Sequence, residues 1–237
     1  MKFSRRDFLS AAGLSAAALV LGACDSEGPK RAAGLLADAE RVNRKVERSL
    51  FRHTSMDHAP RGAAASGDSF PSYFVSDEVP VWDTAAMGAW RLEVGGMVRT
   101  PLSLSLDDLM RLERRTQRVN HYCVEGWTAV AEWSGVPVHV LAELAGVDPA
   151  AKVVDFESFD DAYHESWDLE SVLHPQTLVA YAKDGKMLTP AYGAPARIHS
   201  PVKLGYKNTK YLTRIRFIAE PNGGYWSDRG YEWYGGL

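Results

Sequence analysis

The segment "RVNHYCVEGW" places three side chains that can do chemistry within five residues. His121, Cys123 and Glu125 lie there at two-residue spacing, and the 237-residue sequence has only one other cysteine. A thiolate is a soft metal ligand, and it is also a nucleophile when its pKa is lowered. An isolated cysteine can equally be a buried, inert side chain. The residues alone therefore leave a metal ligand, a reactive thiol and a structural cysteine open.

The spacing of these residues argues against metal centres built from several protein ligands. The sequence has no CxxC, HxxxH or HExxH pattern for zinc, no CxxCH pattern for covalent haem, and too few cysteines for an iron–sulfur cluster. A metal bound through Cys123 would therefore take its other ligands from elsewhere, such as an organic cofactor.

A second group of candidate residues is basic and lies within 14 residues of sequence. Its members are Arg197, Lys203, Lys207 and Lys210. Such cations, together with neighbouring glycine and polar residues, could cradle a phosphate, although a solvated basic face is the alternative. The net charge of the chain is -3, which does not indicate a nucleic-acid-binding protein.

Alternating strands and short helices must position these residues. Hydrophobic patterns predict strands at 89–98, 117–123, 151–159, 177–182 and 210–220. The strand at 117–123 would end at the cysteine, with His121 and Cys123 on the same face. The strand at 210–220 would close the sheet.

Capping and turn signals separate the strands. Ser105 with Asp108 three residues later predicts the start of a short helix, and Pro137 and Gly146 bound a second helix. The Asp-Gly pair in "KDGK" predicts a hairpin turn. Because strands and helices follow no regular βαβ rhythm, we expect a single-domain α+β fold with a mixed sheet.

The N-terminus resembles an export signal. Residues 1–23 contain "SRRDFL", which is similar to the twin-arginine signal, and an Ala/Leu run too short to span a bilayer comfortably. The following "LGAC" resembles a bacterial lipobox, which implies cleavage before Cys24 and acylation of its sulfur. The alternative is a plain secretory signal with an incidental cysteine. With Cys24 acylated, Cys123 would be the only free thiol in an oxidising compartment.

Four segments are expected after the signal. Residues 24–33 are predicted to be a flexible tether, and 34–51 an amphipathic helix that docks on the body. Residues 52–72 are predicted to be an irregular connection, and 73–237 the folded domain.

Over roughly residues 70–237 the sequence resembles the sulfite-oxidase-type molybdopterin-dependent oxidoreductases. "CVEGW" followed by "WSGVPVHVL" is similar to the cysteine loop of that superfamily. "LVAYAKDGKMLTPAYGAPARI" with "PVKLGYKNTK" is similar to its pterin-binding region. "WRLEVGGMVRTPLSLSLDDL" and "GGYWSDRGYEWY" match its opening and closing segments in the same order. The resemblance implies the mixed-sheet fold of that superfamily and a molybdenum–molybdopterin cofactor.

The resemblance also implies roles for single residues. Cys123 would be the molybdenum ligand, and Arg197 would hold the pterin phosphate. The full set of implied cofactor-binding residues is Ser158, Arg197, Lys207, Asn208, Thr209 and Lys210. Glu125 is the candidate catalytic proton donor, with a hydrogen bond to the loop backbone as its alternative role.

The Cys-Val-Glu run is more similar to the periplasmic protein-methionine-sulfoxide reductase branch than to sulfite oxidases. A carboxylate two residues from the metal ligand would repel sulfite. We therefore expect reduction of a sulfoxide or similar S- or N-oxide, either small or protein-bound. Because the sequence has no haem or iron–sulfur ligands, electrons would come from a membrane haem or quinone donor.

The expected location is the periplasmic face of the bacterial cytoplasmic membrane, reached by export of the folded protein and kept through the lipid anchor. Since no Ig-like dimerisation domain follows, we expect a monomer. Three alternatives stay open: an oxidase of sulfite or another sulfur compound, a cofactor-free lipoprotein that binds a ligand, and a thiol peroxidase using Cys123. The peroxidase requires a thiol of low pKa.

Overall fold

The computed structural model describes residues 33–50, 58–59, 63–160 and 163–237. The predicted signal at 1–23, the lipidation candidate Cys24 and most of the tether lie outside these residues. Helix α1 spans Ala33–Leu50, which agrees with the predicted helix within one residue at each end. Its docking on the body stays a prediction. Among the described helices, none is long and apolar enough to cross a bilayer.

The other elements lie in the compact unit that follows residue 50. Its helices are α2 Thr84–Met87, α3 Leu106–Arg111, α4 Val138–Ala145 and α5 Leu169–Val172. Its strands are β1 Leu92–Gly96, β2 Leu102–Leu104, β3 Arg115–Tyr122, β4 Thr128–Pro137, β5 Val153–Ser158, β6 His164–Asp168, β7 Leu178–Lys183, β8 Lys186–Met187, β9 Arg197–His199 and β10 Leu212–Ile218.

The strands form two sheets. The first has the order β2-β1-β10-β5-β6, in which β1 and β10 are parallel and the other neighbours antiparallel. The second has the order β3-β4-β7-β8, with β9 paired to β7, and its neighbours are antiparallel. The expected α+β fold with mixed strand directions is confirmed.

The last strand occupies a different place from the predicted one. The sequence predicts that 210–220 closes the sheet, whereas β10 lies in the middle of the first sheet, between β1 and β5. Ile215 and Phe217 alternate into the largest core cluster, and Leu212 joins that cluster from the other side of a register shift between Leu212 and Arg214. The period-two pattern thus identifies the strand but not its neighbours.

The local signals in the sequence have the predicted structures. Ser105 Oγ accepts from the Asp108 backbone N–H at 3.1 Å, and Asp108 accepts in return from the Ser105 N–H at 3.0 Å. Helix α4 ends before Gly146, whose φ of +64° is the left-handed C-cap conformation. Asp184 and Gly185, both at positive φ, turn β7 into β8.

Two buried apolar clusters set the position of the site. The larger one joins both sheets and α4 through side chains such as Phe156, Ile198 and Leu141. The smaller one packs Phe70 against Val119 of β3 and Trp133 of β4. The segment that begins at Phe70 is therefore anchored on the second sheet, close to the end of β3.

Candidate active site

The loop between β3 and β4 presents the cysteine. The Cys123 N–H donates to the Trp127 carbonyl at 3.0 Å, and the Gly126 N–H donates to the Cys123 carbonyl at 3.0 Å. Gly126 has φ of +87°, a conformation that glycine adopts without steric cost. β3 ends at Tyr122, so the prediction that a strand delivers the cysteine at its end is confirmed.

Glu125 and Trp127 surround the sulfur. The Cys123 Sγ lies 3.8 Å from the Glu125 carboxylate, which accepts a 3.1 Å hydrogen bond from the Trp127 indole N–H. Burial, and then the neighbouring Glu125 charge, raise the pKa of the Cys123 thiol. A raised pKa is the opposite of what a thiol peroxidase needs, so the peroxidase alternative loses support. A metal cation at the sulfur would instead favour the thiolate.

A cavity of about 230 Å³ opens beside this loop. Its walls come from the segment at 70–75, the cysteine loop, the end of β5, the stretch at 205–211 and the C-terminal segment. The structure brings six of the predicted site residues together in its lining: Cys123, Glu125, Ser158, Arg197, Asn208 and Lys210.

Arg197 is a buried cation in this lining and is only 4% exposed. Its guanidinium donates to the carbonyls of Tyr192 and Asn208 at 3.3 Å each and lies 4.9 Å from the centre of the Trp133 ring. Burial lowers the pKa of Arg197 to about 10. Carbonyl groups and an aromatic face solvate the cation but do not neutralise its charge.

Lys210 is a second poorly neutralised cation. Its ammonium donates to the Ala191 carbonyl at 3.0 Å. Burial, and then repulsion by Arg197, lower the pKa of Lys210 to about 7. Within the described part of the chain, neither Arg197 nor Lys210 has a carboxylate at ion-pair distance. A buried and a partly buried cation without an ion-pair carboxylate are suited to an anionic ligand group.

Asp160 is a carboxylate in the cavity lining that could serve as a counter-ion, but its oxygens accept hydrogen bonds from other groups. It accepts hydrogen bonds from the backbone N–H groups of Val75 and Ser76, at 2.8 and 3.0 Å. Its own N–H donates to Ser158 Oγ at 2.9 Å. Asp160 therefore fixes the 70–76 wall to the end of β5, and the Ser158 hydroxyl keeps its proton available for a ligand.

Lys207 does not line the cavity. Its ammonium donates to Glu165 at 2.5 Å and to the Ser166 carbonyl at 3.1 Å, and the side chain is fully buried. The family resemblance implies a cofactor contact for Lys207. In the structure its ammonium instead forms an ion pair that joins β6 to the stretch following Gly205. The carboxylate partner lies 42 residues earlier, which sequence spacing does not reveal.

Asn208 and Thr209 hold the same stretch in shape. The Asn208 side chain accepts from the Ser200 N–H at 2.6 Å and donates to the Leu204 carbonyl at 3.0 Å. Thr209 is fully buried, and among the described residues its hydroxyl has no hydrogen-bond partner. Asn208 touches the cavity with its amide already occupied, whereas Thr209 lies behind the lining.

A stack of buried rings lies under the cavity, and its full extent is not evident from the sequence. His199 stacks on Trp133 at 4.2 Å between ring centres, and His121 follows at 5.5 Å. Burial, and then Arg197 and Lys210, lower the pKa of His121 to about 3, so the ring is neutral. Period-two alternation predicts that His121 faces inward. His199 arrives only through the pairing of β9 with β7.

The C-terminal segment supplies an aromatic wall that sequence reasoning did not place. Trp226 and Tyr231 line the cavity, and Tyr231 contacts both Trp226 and Tyr206 of the neighbouring stretch, with ring centres 5.1 and 5.3 Å apart. The segment is held by Glu165, which accepts from the Trp226 N–H at 2.9 Å. The aromatic clustering of "GGYWSDRGYEWY" is the signal that indicates a packed wall.

A half-buried thiol and two cations without ion-pair partners among the described residues line one cavity, and this combination suits a phosphate-bearing cofactor with a soft metal. Residues 77–226 match the family described as "Oxidoreductase molybdopterin binding domain". The chain therefore belongs to this family. It is an oxidoreductase that uses a molybdenum–molybdopterin cofactor, and the residues present fit that group.

Relatives of known name extend the comparison. "Putative protein-methionine-sulfoxide reductase subunit YedZ1" of Azospira oryzae is 37% identical over 235 residues, covering 98% of this chain and 88% of that protein. The oxidoreductase YuiH of Bacillus subtilis is 33% identical over 168 residues, covering 70% and 83%. The catalytic subunit MsrP of Xanthomonas axonopodis pv. citri is 33% identical over 162 residues, covering 61% and 50%.

A solved structure shares the architecture. The sulfane dehydrogenase SoxCD of Paracoccus pantotrophus superposes with a TM-score of 0.53 at 27% sequence identity. The match covers 55% of this chain and 38% of that one.

Proposed function

We propose that this protein reduces a sulfoxide or a similar S- or N-oxide, with Cys123 as the protein ligand of molybdenum. The observation that carries the proposal is a cavity whose lining includes both Cys123 and the cations Arg197 and Lys210, which have no ion-pair carboxylate among the described residues. The names of the Azospira and Xanthomonas relatives, both protein-methionine-sulfoxide reductase subunits, support the direction of the reaction.

The cofactor would be held mainly by charge. Arg197 and Lys210 would neutralise its phosphate, and the protein would recover part of the cost of burying the two cations. The hydroxyl of Ser158 would add a hydrogen bond from the neighbouring wall, whereas Asn208 and Thr209 would keep the stretch before Lys210 in shape. When bound, the cofactor supplies a metal centre that exchanges an oxygen atom and two electrons with the substrate.

The residues around the sulfur would handle protons. Reduction of a sulfoxide to a thioether and water takes up two electrons and two protons. Glu125 lies 3.8 Å from Cys123 Sγ and is held by the indole N–H of Trp127. Its carboxylate would take up a proton from solvent after the substrate has entered and pass that proton on to the site. The neutral His121 ring beneath the cavity would position the loop rather than transfer protons.

Oxidation of a sulfur compound is the second candidate, because the solved relative SoxCD is named a sulfane dehydrogenase. The two directions differ in the charge of the usual substrates. Sulfite is an anion, and the carboxylate of Glu125 at the cavity would oppose its approach.

The export and partner assignments belong to the same proposal. The chain would be exported folded, anchored through acylated Cys24 at the periplasmic face of the membrane, and act as a monomer. The Xanthomonas relative is named a catalytic subunit, which supports a separate redox partner. We propose a membrane haem or quinone protein as the electron donor.

Elemental analysis of the full chain, purified from a host with an intact molybdopterin pathway, tests the proposal together with reduction of methionine sulfoxide by a reduced dye. We expect near-stoichiometric molybdenum and turnover in the wild type, and loss of both in Cys123→Ser. Cys24→Ser is the matched control, since it should release the protein from the membrane and keep its molybdenum. Full metal content and turnover in Cys123→Ser would contradict the assignment.

A further inference from the structure

The outer part of the cavity carries one charge. Four lining residues are exposed to solvent, and they are Tyr73, Val124, Glu125 and Tyr231. We call this set the mouth. Three of its members are uncharged and the fourth is a carboxylate, whereas of the two cations in the lining Arg197 is buried and Lys210 is partly buried. A substrate entering the cavity therefore meets a negative charge on an otherwise aromatic and apolar rim.

The carboxylate of Glu125 is fixed and not neutralised. Trp127 donates its indole N–H to the carboxylate at 3.1 Å. The Trp127 ring packs against Phe70 at 6.4 Å and His121 at 5.9 Å, and Tyr73 stacks on it at 6.4 Å. Among the described residues, Glu125 has no ion-pair partner.

The nearest side chains leave that charge in place. The His121 ring packs against Trp127, and among the described residues it forms no hydrogen bond or ion pair with Glu125. The Glu125 charge, followed by burial, raises the pKa of Tyr73, so the phenol stays protonated beside the carboxylate. Arg229, on the C-terminal segment, lies over the Tyr225 ring at 3.6 Å and is outside the lining.

We propose that Glu125, held in position by Trp127, makes the site select uncharged or cationic oxides and discriminate against anionic ones. The inference rests on the proposed function and names the substrate class for it. Aromatic rings at the mouth favour an apolar body and attract cations through their faces. The carboxylate adds a Coulomb term that has opposite sign for cationic and anionic substrates. Trp127 is the positioning residue, since it acts through Glu125.

Three aryl methyl sulfoxides that differ only in the para substituent provide the test: a carboxylate, a methyl group and a trimethylammonium group. For a unit charge about 7 Å from Glu125 in a water-like dielectric, the ratio of kcat/KM between cationic and anionic substrates should be about tenfold. The difference should appear in KM, because the Coulomb term acts equally on the bound substrate and on the transition state. Added salt should reduce it.

Matched variants separate the charge from the fold. Glu125→Gln should bring the cation-to-anion ratio to about twofold or less, even if kcat falls for all three substrates through loss of a proton donor. Trp127→Phe keeps an aromatic ring at this position and removes the N–H, so its ratio should lie between those two values. Glu113→Gln removes the same charge from an exposed residue beyond the other end of β3 and should leave the wild-type ratio unchanged.

The outcomes distinguish the two proposals. If the molybdenum-loaded protein reduces none of the three sulfoxides, both the proposed function and this inference are overturned. If it reduces all three with equal kcat/KM, or if the ratio survives in Glu125→Gln, the inference is overturned and sulfoxide reduction stands. A ratio that collapses in Glu125→Gln and persists in Glu113→Gln supports the assignment of charge selection to the mouth.

Discussion

Replacing Lys210 with Met should stabilise the cofactor-free protein at pH 7. Burial, and then Arg197, lower the pKa of Lys210 from 10.5 to about 7 in the folded chain. Between these pKa values the unfolded chain binds more protons than the folded chain. The free energy of unfolding of the wild type therefore rises with pH from about 7 to 10.5. The lowered pKa of Lys210 reduces the free energy of unfolding by about 4 kcal/mol at pH 7 and about 2 kcal/mol at pH 9.

These costs are upper values, because part of the Lys210 side chain reaches the cavity solvent. Urea unfolding of cofactor-free wild type and Lys210→Met at pH 7 and pH 9 measures the effect. The wild type should gain about 2 kcal/mol relative to the variant over this interval, since the other titrating groups are common to both proteins. Lys210→Arg keeps the charge and should not be stabilised at pH 7. Parallel pH dependences of wild type and Lys210→Met would refute the reasoning, and molybdenum retention should fall in the Met variant.

Two further changes test the packing that surrounds the site. Lys207→Met leaves Glu165 buried without its cation and should lower the free energy of unfolding in urea by about 3 to 5 kcal/mol, even without cofactor. If Lys207 were needed only to bind the cofactor, this substitution would leave the stability of the cofactor-free protein unchanged. Gly135→Ala places a Cβ 2.1 Å from the Val179 carbonyl in the β4–β7 ladder, and should cost about 3 kcal/mol. Gly95→Ala, where nothing lies within 4 Å, is the control for thermal unfolding, and equal losses in the two glycine variants would contradict the steric argument.

Local features of the fold were predictable because their causes lie within a few residues. The capping pair Ser105 and Asp108 and the left-handed Gly146 depend on backbone groups one turn away. The strand that ends before Cys123 follows from side-chain alternation and the glycine in its loop. The division into two sheets and the central position of β10 depend on pairings between distant strands, for which hydrophobic period carries no information.

The basic stretch at 197–210 shows why the site itself was only partly predictable. Read as a sequence, it is either a phosphate cradle or a solvated face, and in the structure its members serve separate purposes. Lys203 and Lys207 are buried against Asp168 and Glu165 from β6, so their charges are already matched within the protein. Arg197 and Lys210 remain without such partners among the described residues. The cations that β6 does not neutralise therefore indicate the cofactor end of the cavity. Which cations these are depends on the strand order, because the strand order places the carboxylates of β6.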